Sequence, residues 1–133
     1  MARLFEYQGK NLLKNSGIPV PAGEVVVTPA QAKEIAAKVG KPVVVKGQVW
    51  VGGRGKAGAI KVADTPEAAE QTAAAILGMN VKGYPVRQLL VEEKLEIDKE
   101  FYAGIIPDSS RFIRGPVVIF STRGGMDIED VVE

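Results

Sequence analysis

A lysine inside an apolar run, followed directly by a glycine-rich segment, forms the part of this sequence best suited to anion chemistry. Lys46 follows three consecutive valines, and residues 52–58 contain four glycines together with Arg54 and Lys56. A lysine in an apolar strand is costly to bury unless an anion meets it. Glycines allow successive backbone N–H groups to approach an anion closely. Together, these features predict a loop that binds the phosphates of a purine nucleotide.

Two structural alternatives compete with that interpretation. The segment 52–58 lacks the Gly-x-x-x-x-Gly-Lys-Ser/Thr spacing of a Walker A loop, and it joins two predicted strands instead of opening a helix as the dinucleotide fingerprint does. It could therefore be a flexible glycine hairpin turn. Lys46 could extend its ammonium to water or pair with a carboxylate. Residue types alone leave these possibilities open.

Two further segments could contact a ligand. Glu92 and Glu93 end a predicted strand and Glu100 begins the next, so the connector between them could present backbone groups to an adenine edge and a carboxylate to ribose hydroxyls. A solvated loop is the alternative. Gly124 and Gly125 precede a helix-like segment that Asp127 could cap, which indicates a structural turn more than an anion site.

Composition limits the chemistry that remains. The 133 residues include 17 basic and 16 acidic side chains, so the net charge of +1 gives no field that favours nucleic acid or an anionic membrane. Cysteine and histidine are absent, which excludes disulfides, thiolate metal sites and histidine bases. No apolar run reaches the length of a membrane span and the first residues do not resemble a secretory signal. We therefore expect a protein of the bacterial or archaeal cytoplasm.

The order of predicted elements indicates an α+β fold, because helices, strands and hairpins are mixed and do not alternate strictly. Thr28-Pro29 and Thr65-Pro66 each begin a predicted helix with a capping hydroxyl and a first-turn proline. The predicted helices cover residues 4–14 (amphipathic), 29–39 and 66–78. The predicted strands cover 24–27, 42–49 (buried on both faces), 59–62, 87–93, 100–106 and 116–121, and a turn at 107–110 is expected to join the last two as antiparallel neighbours. Another turn covers 83–85, and an acidic, helix-like segment at 126–133 ends without a cap as if cut off.

Several motifs in register resemble the β subunits of ADP-forming succinyl-CoA synthetases, in their N-terminal ATP-grasp part. They are Leu4-Phe5-Glu6-Tyr7-Gln8-Gly9-Lys10, Gly17-Ile18-Pro19-Val20-Pro21, Val45-Lys46-Gly47-Gln48-Val49, the glycine-rich segment 52–58, Leu90-Val91-Glu92, Lys99-Glu100-Phe101-Tyr102-Ala103-Gly104 and Ser121-Thr122-Arg123-Gly124-Gly125-Met126-Asp127-Ile128-Glu129. The likeness covers the whole chain.

The resemblance implies an ATP-grasp fold of two α+β lobes, truncated here. Residues 1–20 would belong to the larger lobe, residues 21–99 to the smaller lobe and residues 100–133 to the incomplete start of the second lobe. It also implies nucleotide-binding roles and no catalytic residue or metal ligand within the chain. The implied binding residues are Lys46, Gly53, Arg54, Gly55, Glu92, Leu95 (through its main chain) and Glu100 (to the ribose).

In the full enzyme the resemblance implies a ligase of the tricarboxylic acid cycle that couples ATP to succinyl-CoA through a phosphohistidine on an α subunit. The partners would be that subunit, in an αβ or α2β2 heteromer, together with ATP or ADP, coenzyme A, and Mg²⁺ held by residues outside this chain. These 133 residues alone should be inactive, because phosphoryl transfer needs metal and in-line geometry.

Three positions depart from the family pattern. Trp50 replaces an expected histidine, Gly47 an alanine or cysteine, and Ala59 a glycine. The acyl substrate and the choice between ATP and GTP therefore remain open. A malate–CoA ligase, a citryl-CoA synthetase subunit and a non-catalytic half-grasp nucleotide-binding module are the alternatives.

Overall fold

The computed structural model describes residues 3–109 and 114–125, which belong to two compact units that divide after Leu95. The assignment of residues to ATP-grasp lobes stays a prediction. Within the described ranges, no helix combines the length and apolarity needed to cross a membrane. The elements are α1 (Glu6–Asn15), β1 (Gly23–Val26), α2 (Pro29–Val39), β2 (Val43–Gly47), β3 (Ile60–Ala63), α3 (Pro66–Ile76), β4 (Asn80–Val81), β5 (Tyr84–Pro85), β6 (Leu89–Glu93), β7 (Tyr102–Asp108) and β8 (Gly115–Ser121).

The first unit is built on a four-stranded antiparallel sheet in the order β1-β6-β2-β3. Helices α2 and α3 contact each other; α2 also contacts β1, β6 and β2, and α3 contacts β2 and β3. Buried alanines allow the helices to approach, and valines, isoleucine and leucine from the sheet and helix ends complete the core. The mixture of helices with antiparallel strands confirms the predicted α+β class.

Both Thr-Pro helix starts are confirmed. Thr28 Oγ1 accepts the Gln31 N–H at 3.3 Å, and the Gln31 side chain accepts the Thr28 N–H at 3.2 Å. Thr65 Oγ1 accepts the Ala68 N–H at 3.1 Å. These bonds satisfy N–H groups that a helix cannot satisfy internally.

Strand β2 differs from the prediction that both of its faces are buried. Val43, Val45 and Gly47 are buried toward the helices, whereas Val44 and Lys46 are half-buried on the opposite face. The valine run conceals this alternation, because a strand with valine at consecutive positions carries apolar side chains on both faces. The second face is the one that carries the charged groups of the site.

Helix α1 is confirmed, and its apolar residues do not pack into the core of the first unit. None of its residues is buried, and Leu12 and Leu13 are exposed. The helix contacts the sheet through Glu6 and Lys10, so charge pairing holds it there instead of apolar burial. Gly17, with φ of +81°, ends it as expected.

The turn predicted at residues 83–85 lies slightly earlier. Tyr84 and Pro85 form β5, which pairs with β4 through a two-residue turn at Lys82 and Gly83. Both turn residues have positive φ, and Asn80 Oδ1 accepts the Gly83 N–H at 2.7 Å. Positive φ at both positions is the geometry of a tight two-residue hairpin turn. Tyr84 and Pro85 therefore follow the turn directly and pair with β4.

The second unit contains the antiparallel hairpin of β7 and β8, which confirms the predicted pairing. Phe101 and Phe120 stack with ring centroids 5.7 Å apart. Ile105, Val118 and Phe120 are mostly exposed. The helix-like segment predicted at 126–133, with its proposed cap Asp127, lies outside the described residues.

Candidate phosphate-binding site

The polar face of the sheet brings together five charged side chains from four parts of the first unit. Strand β2 supplies Lys46, β6 supplies Glu92, α1 supplies Glu6 and Lys10, and the glycine-rich loop supplies Arg54. We call these five residues the ion cluster.

Lys46 is the centre of the ion cluster. Its Nζ lies 3.0 Å from Glu6 Oε1 and 2.6 Å from Glu92 Oε1. The Lys46 side chain is only 20% exposed and Glu92 is almost fully buried. The lysine therefore meets anions at a place where an unpaired charge would be costly.

The other two cations complete the ion cluster. Arg54 donates from Nη2 to Glu6 Oε2 at 2.8 Å and from Nη1 to the Gly47 carbonyl at 3.0 Å. Lys10 Nζ lies 2.5 Å from Glu92 Oε2 and 3.3 Å from Glu6 Oε1. Each carboxylate thus contacts at least two cations.

The ion cluster carries more positive than negative charge, because three cations face two carboxylates. Burial alone would raise the pKa of Glu6, but Lys46 and Arg54 outweigh it and lower that pKa to about 2. Burial alone would lower the pKa of Lys46, but Glu92 and Glu6 raise it above its usual value. Glu6 and Lys46 are therefore charged at neutral pH. The formal surplus of one positive charge in the ion cluster suits a further anion.

The glycine-rich loop connects β2 to β3 and is closed by its own hydrogen bonds. Ala57 N–H donates to Gly53 O at 3.0 Å, Gly58 N–H to Gly55 O at 3.0 Å, and Ala59 N–H to Arg54 O at 2.9 Å. In the described part of the chain, no hydrogen bond uses the backbone N–H groups of residues 53–55 as donors. Those three amides remain available to an anion.

A cleft lies next to the ion cluster, between α1 and the polar face of the sheet. Its volume is about 460 Å³, and its walls include Lys10 and Lys14 of α1, residues 20–25, and Glu92. Glu92 thus belongs both to the ion cluster and to the wall of a cleft within the usual size range of small-molecule sites.

Comparison with known proteins identifies the fold. The model of the ATP-grasp domain family matches residues 3–133. This chain belongs to the ATP-grasp family. The ATP-grasp domain is 53% identical over 128 residues to a succinate–CoA ligase [GDP-forming] subunit beta from Thermus thermophilus, covering 96% of this chain and 33% of the relative. It is 52% identical over 129 residues to a succinate–CoA ligase [ADP-forming] subunit beta from a Roseiflexus species, covering 97% of this chain and 34% of the relative.

Solved structures share the ATP-grasp architecture. A protein from Pyrococcus horikoshii Ot3 is similar with a TM-score of 0.76 at 27% identity, covering 96% of this chain and 55% of that one. The dinucleotide-forming acetyl-coenzyme A synthetase 1 of Ca. Korarchaeum cryptofilum has a TM-score of 0.75 at 24% identity, covering 89% and 52%. The ATP-grasp domain spans about one third of the length of the curated relatives named above.

The ATP-grasp domain brings together some of the residues predicted for the site. Lys46, Arg54 and Glu92 belong to the ion cluster, and Gly53 and Gly55 flank Arg54 in the loop. Leu95 is the last residue of the first unit and is about half exposed. Glu100 belongs to the second unit, where its carboxylate lies beside Gly125.

Three charged residues near the site were not predicted from the sequence. Glu6 and Lys10 have the i, i+4 spacing of a helical ion pair, which is a weak signal of their shared face. Lys82, in the β4–β5 turn, places Nζ 3.1 Å from where a Cβ on Gly53 would lie. Only the fold brings Lys82 to the loop, so no local pattern could have identified it.

The structure gives physical reasons for two of the departures from the family pattern. The ring of Trp50 stacks on Phe5 with centroids 4.6 Å apart. A Cβ on Gly47 would lie 3.2 Å from both Cγ atoms of buried Val86 and 3.3 Å from Ala59 Cβ, so the side chains around it fill the space that a larger residue would need.

Proposed function

We propose that this ATP-grasp domain is the nucleotide-binding part of an acid–CoA ligase. In this proposal Lys46, Arg54 and the amides of residues 53–55 hold the nucleotide phosphates. The observation that carries it is the surplus positive charge of the ion cluster beside a loop whose amides are available. Backbone amides together with lysine and arginine side chains form a general recognition mode for phosphate.

The base and ribose would lie toward the end of β6. The cleft beside Glu92 supports this, because its volume of about 460 Å³ is comparable to that of common small-molecule sites. Glu92 and the Leu95 main chain would then border the adenine, and Glu100 would contact the ribose. Glu92 is held by Lys46 and Lys10, so its carboxylate would act mainly by fixing those cations.

The full-length protein would form succinyl-CoA in the tricarboxylic acid cycle of a bacterial or archaeal cytoplasm. Its partner would be an α subunit that carries the phosphohistidine, in an αβ or α2β2 heteromer. The names of the relatives support succinate and coenzyme A, and they include both GDP-forming and ADP-forming enzymes. We favour the ADP-forming reaction.

Magnesium would be held by residues outside this chain. In the part of the chain that the structure describes, no group of three or more carboxylates is placed to hold a metal ion. The residues present would contribute cations toward the phosphates, and the metal would neutralise further phosphate charge when bound. The 133 residues alone would therefore bind nucleotide without turnover.

A malate–CoA ligase, a citryl-CoA synthetase subunit and a non-catalytic nucleotide-binding module are the alternatives. Thioester formation by the full-length protein with its partner subunit separates them when succinate, malate and citrate are supplied in turn. Turnover of malate or citrate alone would replace succinate in the proposal. Nucleotide binding without any thioester would favour the non-catalytic module.

Replacing Lys46 tests the phosphate site. In the full-length protein we expect Lys46→Ala to raise the ADP dissociation constant by about 10- to 100-fold, because a charge-assisted contact is worth roughly 1.5–3 kcal/mol. Isothermal titration calorimetry measures the constant, and circular dichroism checks folding. Arg54→Ala, on the loop, should weaken ADP binding in the same direction.

The matched control is Lys61→Ala. Lys61 lies on β3 opposite Val45, is exposed, and is outside the ion cluster. ADP affinity should stay at the wild-type value in this variant. Wild-type affinity in both Lys46→Ala and Arg54→Ala would remove the phosphates from this site.

A further inference from the structure

Glu6 links the two side chains that we assign to the phosphates. Its Oε1 lies 3.0 Å from Lys46 Nζ, and its Oε2 accepts from Arg54 Nη2 at 2.8 Å. We propose that Glu6 is a positioning residue for nucleotide binding, which holds Lys46 and Arg54 on separate carboxylate oxygens. The inference rests on the proposed function, because it assumes that these cations meet the phosphates.

Lys46 and Arg54 retain N–H donors that Glu6 does not use, and a phosphate could accept hydrogen bonds from them. A lysine ammonium has three N–H donors, and the described contacts of Lys46 are with two carboxylates. A guanidinium has five donors, and the described bonds of Arg54 use two of them. Both cations can therefore keep Glu6 and accept a further anion.

Displacement of Glu6 by a phosphate is the less favourable arrangement. The Glu6 side chain is only 19% exposed, and burial alone would raise its pKa, so the carboxylate depends on its cations. Losing Lys46 and Arg54 would leave Lys10, 3.3 Å away, as its nearest described cation. A partly buried carboxylate that has lost two of its three cations costs more than cations shared between Glu6 and a phosphate.

The backbone around Glu6 is fixed on both sides. Arg3 donates to the Trp50 carbonyl at 3.2 Å and Phe5 stacks on Trp50, while the Tyr7 N–H contacts Gln48 Oε1 at 3.4 Å. Residues 3–7 therefore run along the segment from the end of β2 to the start of the loop. A carboxylate held on such a frame can orient its partners before the ligand arrives.

The variant Glu6→Gln separates positioning from simple charge. Removing a negative charge should strengthen anion binding if Glu6 acts only through the electrostatic field. A positioning role predicts the reverse, because glutamine cannot accept charge-assisted bonds from both cations. We expect the ADP dissociation constant of the full-length protein to rise by about tenfold, the effect of losing one bond to a charged group.

Two further variants keep the test independent of folding defects. Glu6→Asp retains the charge but shortens the side chain, so it should also weaken ADP binding. Glu70→Gln removes a carboxylate that pairs with Lys33 on the surface at 3.3 Å, and it should leave affinity unchanged. Thermal unfolding of each variant gives its folded fraction, and the measured ADP affinity is corrected for that fraction.

A double-mutant cycle shows whether Glu6 acts through Arg54. If it does, Glu6→Gln should cost far less in the Arg54→Ala background than in the wild type, a non-additivity expected of residues in direct contact. Tighter or unchanged ADP binding in Glu6→Gln, or full additivity with Arg54→Ala, would overturn the positioning role. If Lys46→Ala and Arg54→Ala themselves leave affinity unchanged, the proposed function fails as well.

Discussion

Lys46 shows how far a single residue could be interpreted from the sequence. Its apolar neighbours predicted a phosphate partner, and the alternatives were exposure of the ammonium to water or pairing with a carboxylate. The structure confirms the carboxylates, Glu6 and Glu92, as present partners. Since three cations share two carboxylates in the ion cluster, the phosphate remains a proposal that this pairing supports.

The identity of those carboxylates could not be predicted. Glu6 is 40 residues from Lys46 along the chain. Glu92 lies on β6, and its strand ending suggested a ligand role rather than an ion pair. Charge pairing across the fold depends on sheet order and register, which no local pattern in the sequence encodes.

Acid titration tests the strength of the Glu6 pairing. The pKa of Glu6 is lowered from 4.5 to about 2, so its pairing stabilises the fold above pH 4.5 and is lost as the pH falls toward 2. We expect wild-type unfolding free energy to drop by at most about 3 kcal/mol more than that of Glu6→Gln over this interval. Urea unfolding at each pH measures the difference.

Glu70→Gln again serves as the control for that titration. It should lose stability with falling pH in parallel with the wild type. An equal loss in wild type and Glu6→Gln would contradict the assignment of the lowered pKa to Glu6.

At the scale of elements, helix starts and most strands followed from local signals. Threonine caps, first-turn prolines and valine runs predicted α2, α3 and β2 to within a few residues. The packing of α1 did not follow, because its leucines suggested an apolar face. The charged face of α1 contacts the sheet instead. The spacing of apolar residues along a helix does not show by itself which face will pack against the sheet.

The approach of β1 to β6 requires glycine at position 23. A Cβ there would lie 2.5 Å from Glu92 Cβ and 2.6 Å from Glu92 Cα, and would also contact the Val91 carbonyl. We expect Gly23→Ala to lower the unfolding free energy by about 1–3 kcal/mol, as overpacking does. Because Glu92 would have to move, ADP affinity should fall too. Urea denaturation and calorimetry measure the two effects.

Gly9→Ala is the matched substitution in α1. A Cβ at Gly9 would meet nothing within 4 Å, so alanine should stabilise the helix by about 0.5–1 kcal/mol. If Gly23→Ala were as stable as Gly9→Ala, the close contact between β1 and β6 would be contradicted.

At the scale of the whole molecule, the family motifs predicted the ATP-grasp fold from residue types in register. The α+β class and the β7–β8 pairing are confirmed. Substrate, nucleotide preference and partner could not follow from this chain, because it spans one third of the relatives' length.

The central claim is that nucleotide phosphates bind at Lys46, Arg54 and the amides of residues 53–55. The most direct measurement is a crystal structure of the full-length protein with ADP bound. The account predicts phosphate oxygens within about 2.7–3.2 Å of Lys46 Nζ and of at least one loop amide, with Glu6 still contacting Lys46 and Arg54. ADP phosphates bound elsewhere, with no contact to Lys46 or to the loop, would contradict it.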